Sequence, residues 1–200
     1  MGTNGGTRQA RHLVQESQRM TTRLLGEVDL HTRQLGLVNG ILSAVLDGAS
    51  FPDVLKIFYS NLKTLCPIDR MSVSKYDAKR RLFLIPLAIK SGRLLETREE
   101  PRPYDETPLS EVVASKVPVL RKDIRRRKSF TQDTEFLRKG FESEMLFPLI
   151  SGGEVFGTFQ VGCFDADRLK ERHLRLVSEI LPAITLVMKE LIRKDGDLFV

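Results

Sequence analysis

The sequence predicts an α+β domain built on an antiparallel sheet, and three observations carry that prediction. Apolar residues recur at helical spacing near both ends of the chain, in residues 24–45 and 169–191. Two strand pairs with alternating or continuous apolar character lie between them, at residues 70–89 and 143–164. A polar stretch with Thr-Pro and Gly punctuation separates the two pairs, so helices and strands are segregated instead of alternating one by one.

Residues 1–7 are rich in Gly and Thr, and a flexible tail is expected over residues 1–8. Residues 9–47 contain no proline and predict one long helix. Within it Leu24, Val28, His31, Leu35, Val38, Leu42 and Val45 recur in alternating steps of four and three, the spacing of a coiled-coil seam that His31 interrupts. A helix with a single apolar stripe must pack on a domain, on a second copy of itself, or on both.

The stretch Ser50-Phe51-Pro52-Asp53 opens a second helix, with Ser50 as cap, Pro52 in the first turn and Asp53 reaching back. Pro67 stops it. RMSVSKYD and LFLIPLAI then predict a hairpin, and residues 91–106 a loop with one short strand. Thr107-Pro108 opens a short helix, KVPVL a brief strand, and residues 131–139 another short helix closed by Gly140. SEMLFPLIS, the Gly152-Gly153 turn and EVFGTFQVGCF form a second hairpin. Asp165 or Asp167 is expected to cap a closing helix over about 166–194, interrupted by Pro182, and residues 196–200 to form a tail.

Composition narrows the function classes. Hydrophobic residues make up 41% and charged residues 29% of the 200, as in a soluble globular chain. The longest apolar run, residues 82–89, is interrupted by Pro86 and too short to span a bilayer. Two cysteines, Cys66 and Cys163, provide neither a disulfide framework nor metal-ligand spacing, and a cytoplasmic, reducing setting is expected. The net charge of +6 is concentrated in RKDIRRRK, residues 121–128, which alone carries +5. Nucleic acid is therefore not an expected partner, since the charge is not spread along a face. Arg125, Arg126 and Arg127 are read as a solvated loop, with a functional version in which they gate or attract an anionic ligand.

The segments CPIDRMSVSKYD, TPLSEVVASKVPVLRKDI and GFESEMLFPLISGGEVFGTFQVGCF, followed by the closing helix, resemble the GAF domain, a small-molecule sensor and dimerisation module of bacterial signalling proteins. The resemblance implies a six-stranded sheet with first and last strands adjacent, the domain occupying residues 48–195. It implies terminal helices on one face, often paired with a second subunit, and a loop–helix insert roofing a ligand on the other. Ser72, Ser74, Thr158 and Gln160 then alternate on the two adjoining strands, and their buried polar atoms need partners, from a ligand, water or the chain itself. Tyr104, Ser110, Phe136 and Phe141 come from the roof. A homodimer interface is expected at Leu24, Val28, His31, Leu35, Val38, Leu42, Leu176, Ile180 and Val187.

No cofactor or metal is expected: the three histidines lie on the terminal helices, without zinc or triad spacing. The insert also lacks the clustered cysteines of GAF-fold methionine sulfoxide reductases, so no enzyme activity is expected. The leading expectation is a sensory domain that binds an unknown small molecule and signals through dimeric terminal helices. Its output would be an attached or partner kinase, cyclase or transcription activator. The alternative is a ligand-free dimerisation scaffold, and the third reading is nucleic-acid binding by the basic loop.

Overall fold

The computed structural model describes residues 4–96 and 101–194. The expected tail over 196–200 lies outside the described residues, as do residues 1–3. The chain divides into two compact units, Met1–Gly36 and Leu37–Val200.

Helix α1 (Asn4–Leu46) begins ahead of the expected residue 9 and passes through both units. In the first unit its surface carries i,i+4 ion pairs between Arg23 and Glu27 and between Asp29 and Arg33. Leu24, Val28 and Leu35 stand 53%, 62% and 64% exposed on the same helix. In the second unit Leu37 and Ile41 are the buried residues of α1, whereas the seam residues Val38, Leu42 and Val45 are half-buried. The helix therefore has a core stripe beside its heptad seam, about one residue's rotation away.

Helix α2 (Phe51–Leu65) starts as expected: Asp53 N–H donates to Ser50 Oγ, and the Ser50 hydroxyl donates to Asp53 Oδ2 at 2.6 Å. Its apolar face is buried, and Phe58 stacks on Phe159 with centroids 5.1 Å apart. Strands β1 (Arg70–Asp77), β2 (Leu82–Lys90), β3 (Arg93–Glu96) and β4 (Arg102–Pro103) precede α3 (Leu109–Ser115). They are followed by β5 (Val119–Arg121), α4 (Thr131–Arg138), β6 (Ser143–Ser151), β7 (Glu154–Cys163) and α5 (Glu171–Lys194).

The sheet has order β3-β2-β1-β7-β6-β5, with β4 also on β2. It has seven strands among the described residues, not six, because the nine-residue β2 takes two short partners on its outer edge. β3 pairs at Leu87–Lys90 through the Ser91-Gly92 turn, and β4 pairs at Leu82 and Phe83. β1 and β7 adjoin as expected, antiparallel throughout. The β6–β7 hairpin turns on Gly152 and Gly153, both at positive φ, the conformation that two-residue hairpin turns require.

Met71, Val73, Phe159, Val161, Met145 and Phe147 are completely buried on the face covered by α2 and α5. The start of α5 differs from the expectation. Asp167 lies in the left-handed region and the helix begins at Glu171, where Lys170 N–H donates to Nδ1 of the buried His173. Leu176, Ile180 and Val187, expected at a dimer interface, are 6%, 5% and 2% exposed. They belong to the domain's own core and are not open to a second copy, a correction that follows from α5 covering the sheet.

Candidate functional site beneath the insert

The β1–β7 register sets Ser72 opposite Gln160 and Ser74 opposite Thr158. All four are nearly fully buried on the insert side of the sheet, and their polar atoms meet one another. The Ser74 and Thr158 hydroxyls share a hydrogen bond of 2.6 Å. Gln160 Oε1 accepts from Arg70 Nη1 at 2.7 Å and from the Ser72 hydroxyl at 3.3 Å. Arg70 Nη1 also donates to Ser72 Oγ at 2.8 Å.

From Gln160 the network runs into the insert. Gln160 Nε2 donates to Glu144 Oε2 at 2.6 Å, and Glu144 Oε1 accepts from Arg121 Nη1 at 2.6 Å. The β5–β6 register places Arg121 directly across from Glu144, so this ion pair is fixed by the sheet itself. The Arg121 fork also grips Asp133 of α4, Nη1 to Oδ1 at 2.7 Å and Nη2 to Oδ2 at 2.8 Å, and Nη2 donates to the Arg127 carbonyl. Asp133 Oδ2 accepts further from the N–H groups of Ser129 and Phe130. Arg121, Asp133 and Glu144 are 6%, 1% and 1% exposed.

This arrangement sets the charge states. Burial pushes the Glu144 carboxyl above its ordinary range, against the pull of Arg121 and Gln160. Burial also works to raise Asp133, but Arg121 and the two main-chain N–H donors outweigh it and hold that carboxyl below its ordinary value. For Arg121, burial opposes the charge while Asp133 and Glu144 more than restore it, leaving its pKa raised.

The roof residues flank this polar centre in two clusters and do not join one pocket wall. Phe136 and Phe141 pack in a tilted pair with centroids 4.7 Å apart beside the buried Ile124, and Gly162 makes room for them: a Cβ there would lie 3.0 Å from Phe136. Tyr104 packs with Phe83, Leu109 and Val112, and its hydroxyl donates to the Ser110 carbonyl at 3.0 Å. The Ser110 hydroxyl donates to the Thr107 carbonyl at 2.8 Å, within its own helix start. Thr107 Oγ1 accepts from Leu109 N–H and donates to Gln132, tying α3 to α4. Arg102 of β4 pairs with Glu135 of α4 at 2.7 Å and holds the Glu135 carboxyl down to about 2.

Arg125, Arg126 and Arg127 form a surface turn over the buried Ile124. Arg125 meets Asp123 and Glu142, Arg126 meets Asp123, and Arg127 lies 3.7 Å from Glu111. His31 is exposed, with Nδ1 3.1 Å from Gln34 Oε1. Burial, with a contribution from the nearby Cys163, pushes the Cys66 thiol up to about 12, and burial raises Cys163 to about 11, so neither is an activated thiolate. Among the described residues no group of His, Cys, Asp and Glu has metal-ligand geometry, and no helix is long and apolar enough to cross a membrane.

Sequence reasoning found the four strand residues but missed Arg70, Arg121, Asp133 and Glu144. Glu144 had a signal: it is the charged residue inside the apolar strand SEMLFPLIS. Arg121 was concealed as the first letter of the basic run.

An antiparallel sheet with adjacent first and last strands, terminal helices on one face and a loop–helix insert on the other defines the α+β architecture. The chain belongs to the GAF domain family, whose profile matches residues 48–189. Among solved structures it is similar to the GAF domain of an Acinetobacter phosphoenolpyruvate-protein phosphotransferase, at 14% identity and a TM-score of 0.62, covering 82% of this chain and 97% of that one. The phycoerythrobilin-bound GAF domain of a cyanobacterial phytochrome is similar at 13% identity and 0.62, covering 82% and 99%. Free methionine-R-sulfoxide reductase from Neisseria meningitidis in complex with its substrate is similar at 14% and 0.62, covering 80% and 91%. These likenesses are of fold. Compared with curated proteins by sequence, the chain has no significant match.

Proposed function

We propose that this chain is a non-catalytic, dimerising GAF module of a bacterial signalling pathway whose insert face is structural and whose α1 seam receives a second copy. The observation that carries this reading is Arg121, which bridges Asp133 and Glu144 beneath the insert and links them through Gln160 to Ser72 and Arg70. The side chains that could greet a polar ligand are answered by the chain itself. Leu24, Val28 and Leu35, exposed at heptad spacing, supply the apolar seam of a parallel pair, and the two helices would carry strain to an attached or partner output domain. The buried, un-ionised thiols of Cys66 and Cys163 fit a protein without thiol chemistry in a reducing cytoplasm.

A second reading is the small-molecule sensor, favoured by the guanidinium fork of Arg121, whose chemistry suits a carboxylate or phosphate in place of Asp133. A ligand that bound the displaced insert more tightly would shift a two-state equilibrium. Nucleic-acid binding is less supported, because the arginines of the basic turn face Asp123, Glu142 and Glu111. Native mass spectrometry of freshly purified protein tests the proposal. The expected species has twice the 22.7 kDa chain mass and no retained small molecule; a co-purifying ligand supports the sensor, and a monomer overturns the dimer.

A further inference from the structure

A groove of about 350 Å³ runs between α5, the outer end of β6 and the turn before β5, and none of its lining residues belongs to the Arg121 network. Its walls are Pro118, Pro148, Ile150, Leu181 and Pro182, with the Ser178 and Thr185 side chains at α5. That volume and apolar character suit a small molecule. Pro148, the wall residue within β6, lacks a main-chain N–H and so gives an added strand no donor at that position. Pro182 also leaves the Ser178 carbonyl without its helical donor, and the Ser178 hydroxyl donates to the Leu174 carbonyl at 2.8 Å.

The charged residue lining the groove is Lys116, the left-handed residue that closes α3. Its Nζ is held 2.7 Å from the Gly153 carbonyl, which positions the ammonium and leaves two of its three N–H donors. One turn further along α5 from Thr185, Lys189 Nζ lies 2.8 Å from the Ser151 hydroxyl, adding positive charge at the same end of β6. Among the described residues no acidic side chain lines the groove. We propose that this groove is a binding site for a small carboxylate with an apolar body, its carboxylate on Lys116 and its body against Ile150, Leu181 and the three prolines.

The test uses the full chain, isotope-labelled, titrated with octanoate, and with 1-octanol as the uncharged match of the same length. Octanoate is expected to shift the Ile150 and Leu181 methyl resonances saturably, with octanol about tenfold weaker, the typical worth of a charge-assisted contact. Lys116→Gln, at an exposed position, should weaken octanoate about tenfold and leave octanol binding and the rest of the spectrum unchanged. Octanol binding as tightly as octanoate, an unaffected Lys116→Gln variant, or shifts centred on Ser72 and Gln160 instead of the groove would each overturn the proposal.

Discussion

Arg121 holds Asp133 with both of its terminal nitrogens, at 2.7 and 2.8 Å, and thereby locks helix α4 to the edge of the sheet. The same guanidinium reaches Glu144 on the neighbouring strand, so one side chain joins insert and sheet.

Arg121→Met leaves two buried carboxylates without their cation. It should destabilise the domain by about 3–5 kcal/mol, the usual result of breaking a buried ion pair from one side. Removing the charges together, in R121M/D133N/E144Q, should recover a large part of that loss. Urea denaturation monitored by circular dichroism checks both, and equal losses in the single and triple variants would count against the paired network.

The network and its surroundings were legible in the sequence to different depths. The two hairpins were readable because alternation and the Gly152-Gly153 turn are local signals. Where β3 and β4 lie only one short strand was readable, since short edge strands bury too little to leave a pattern. The buried stripe of α1 went unread because Leu37 and Ile41 sit one position before Val38 and Leu42, and the heptad count claimed the latter. Arg121 was hidden for a related reason: a run of like charges suggests one solvated surface. The register turns its first member inward, opposite Glu144, while Arg125, Arg126 and Arg127 remain mainly exposed.

That division makes its own prediction. Replacing Arg125, Arg126 and Arg127 together with Ala removes only surface ion pairs and should leave the thermal midpoint essentially unchanged. A loss comparable to that of R121M would mean that the turn is part of the structural network.

Two glycines mark close approaches within the sheet. A Cβ on Gly157 would lie 2.3 Å from the Ser74 carbonyl oxygen, whereas on Gly162 it would lie 3.0 Å from the ring of Phe136. Main chain in a paired strand cannot retreat as a ring can. Gly157→Ala should therefore cost more than Gly162→Ala, with overpacking of this kind typically worth about 1–3 kcal/mol. Denaturant midpoints of the two variants decide the order.

His173 gives a pH signature. Burial, then the positive charges of Arg172 and Lys170, hold its pKa below the ordinary 6.5. The unfolded chain takes up the proton first, so this contribution is present above pH 6.5 and is lost as pH falls through that value to the depressed folded one. The stability difference between wild type and His173→Asn should shrink over that window. A difference independent of pH would show that His173 titrates normally.

The most direct test of the central claim is the mass of the chain in solution by light scattering at tens of micromolar. A dimer through the α1 seam predicts twice the 22.7 kDa chain mass, falling to a single chain in L24E/V28E/L35E with the circular dichroism of the domain retained. A wild-type monomer, or a dimer indifferent to those three substitutions, would contradict it.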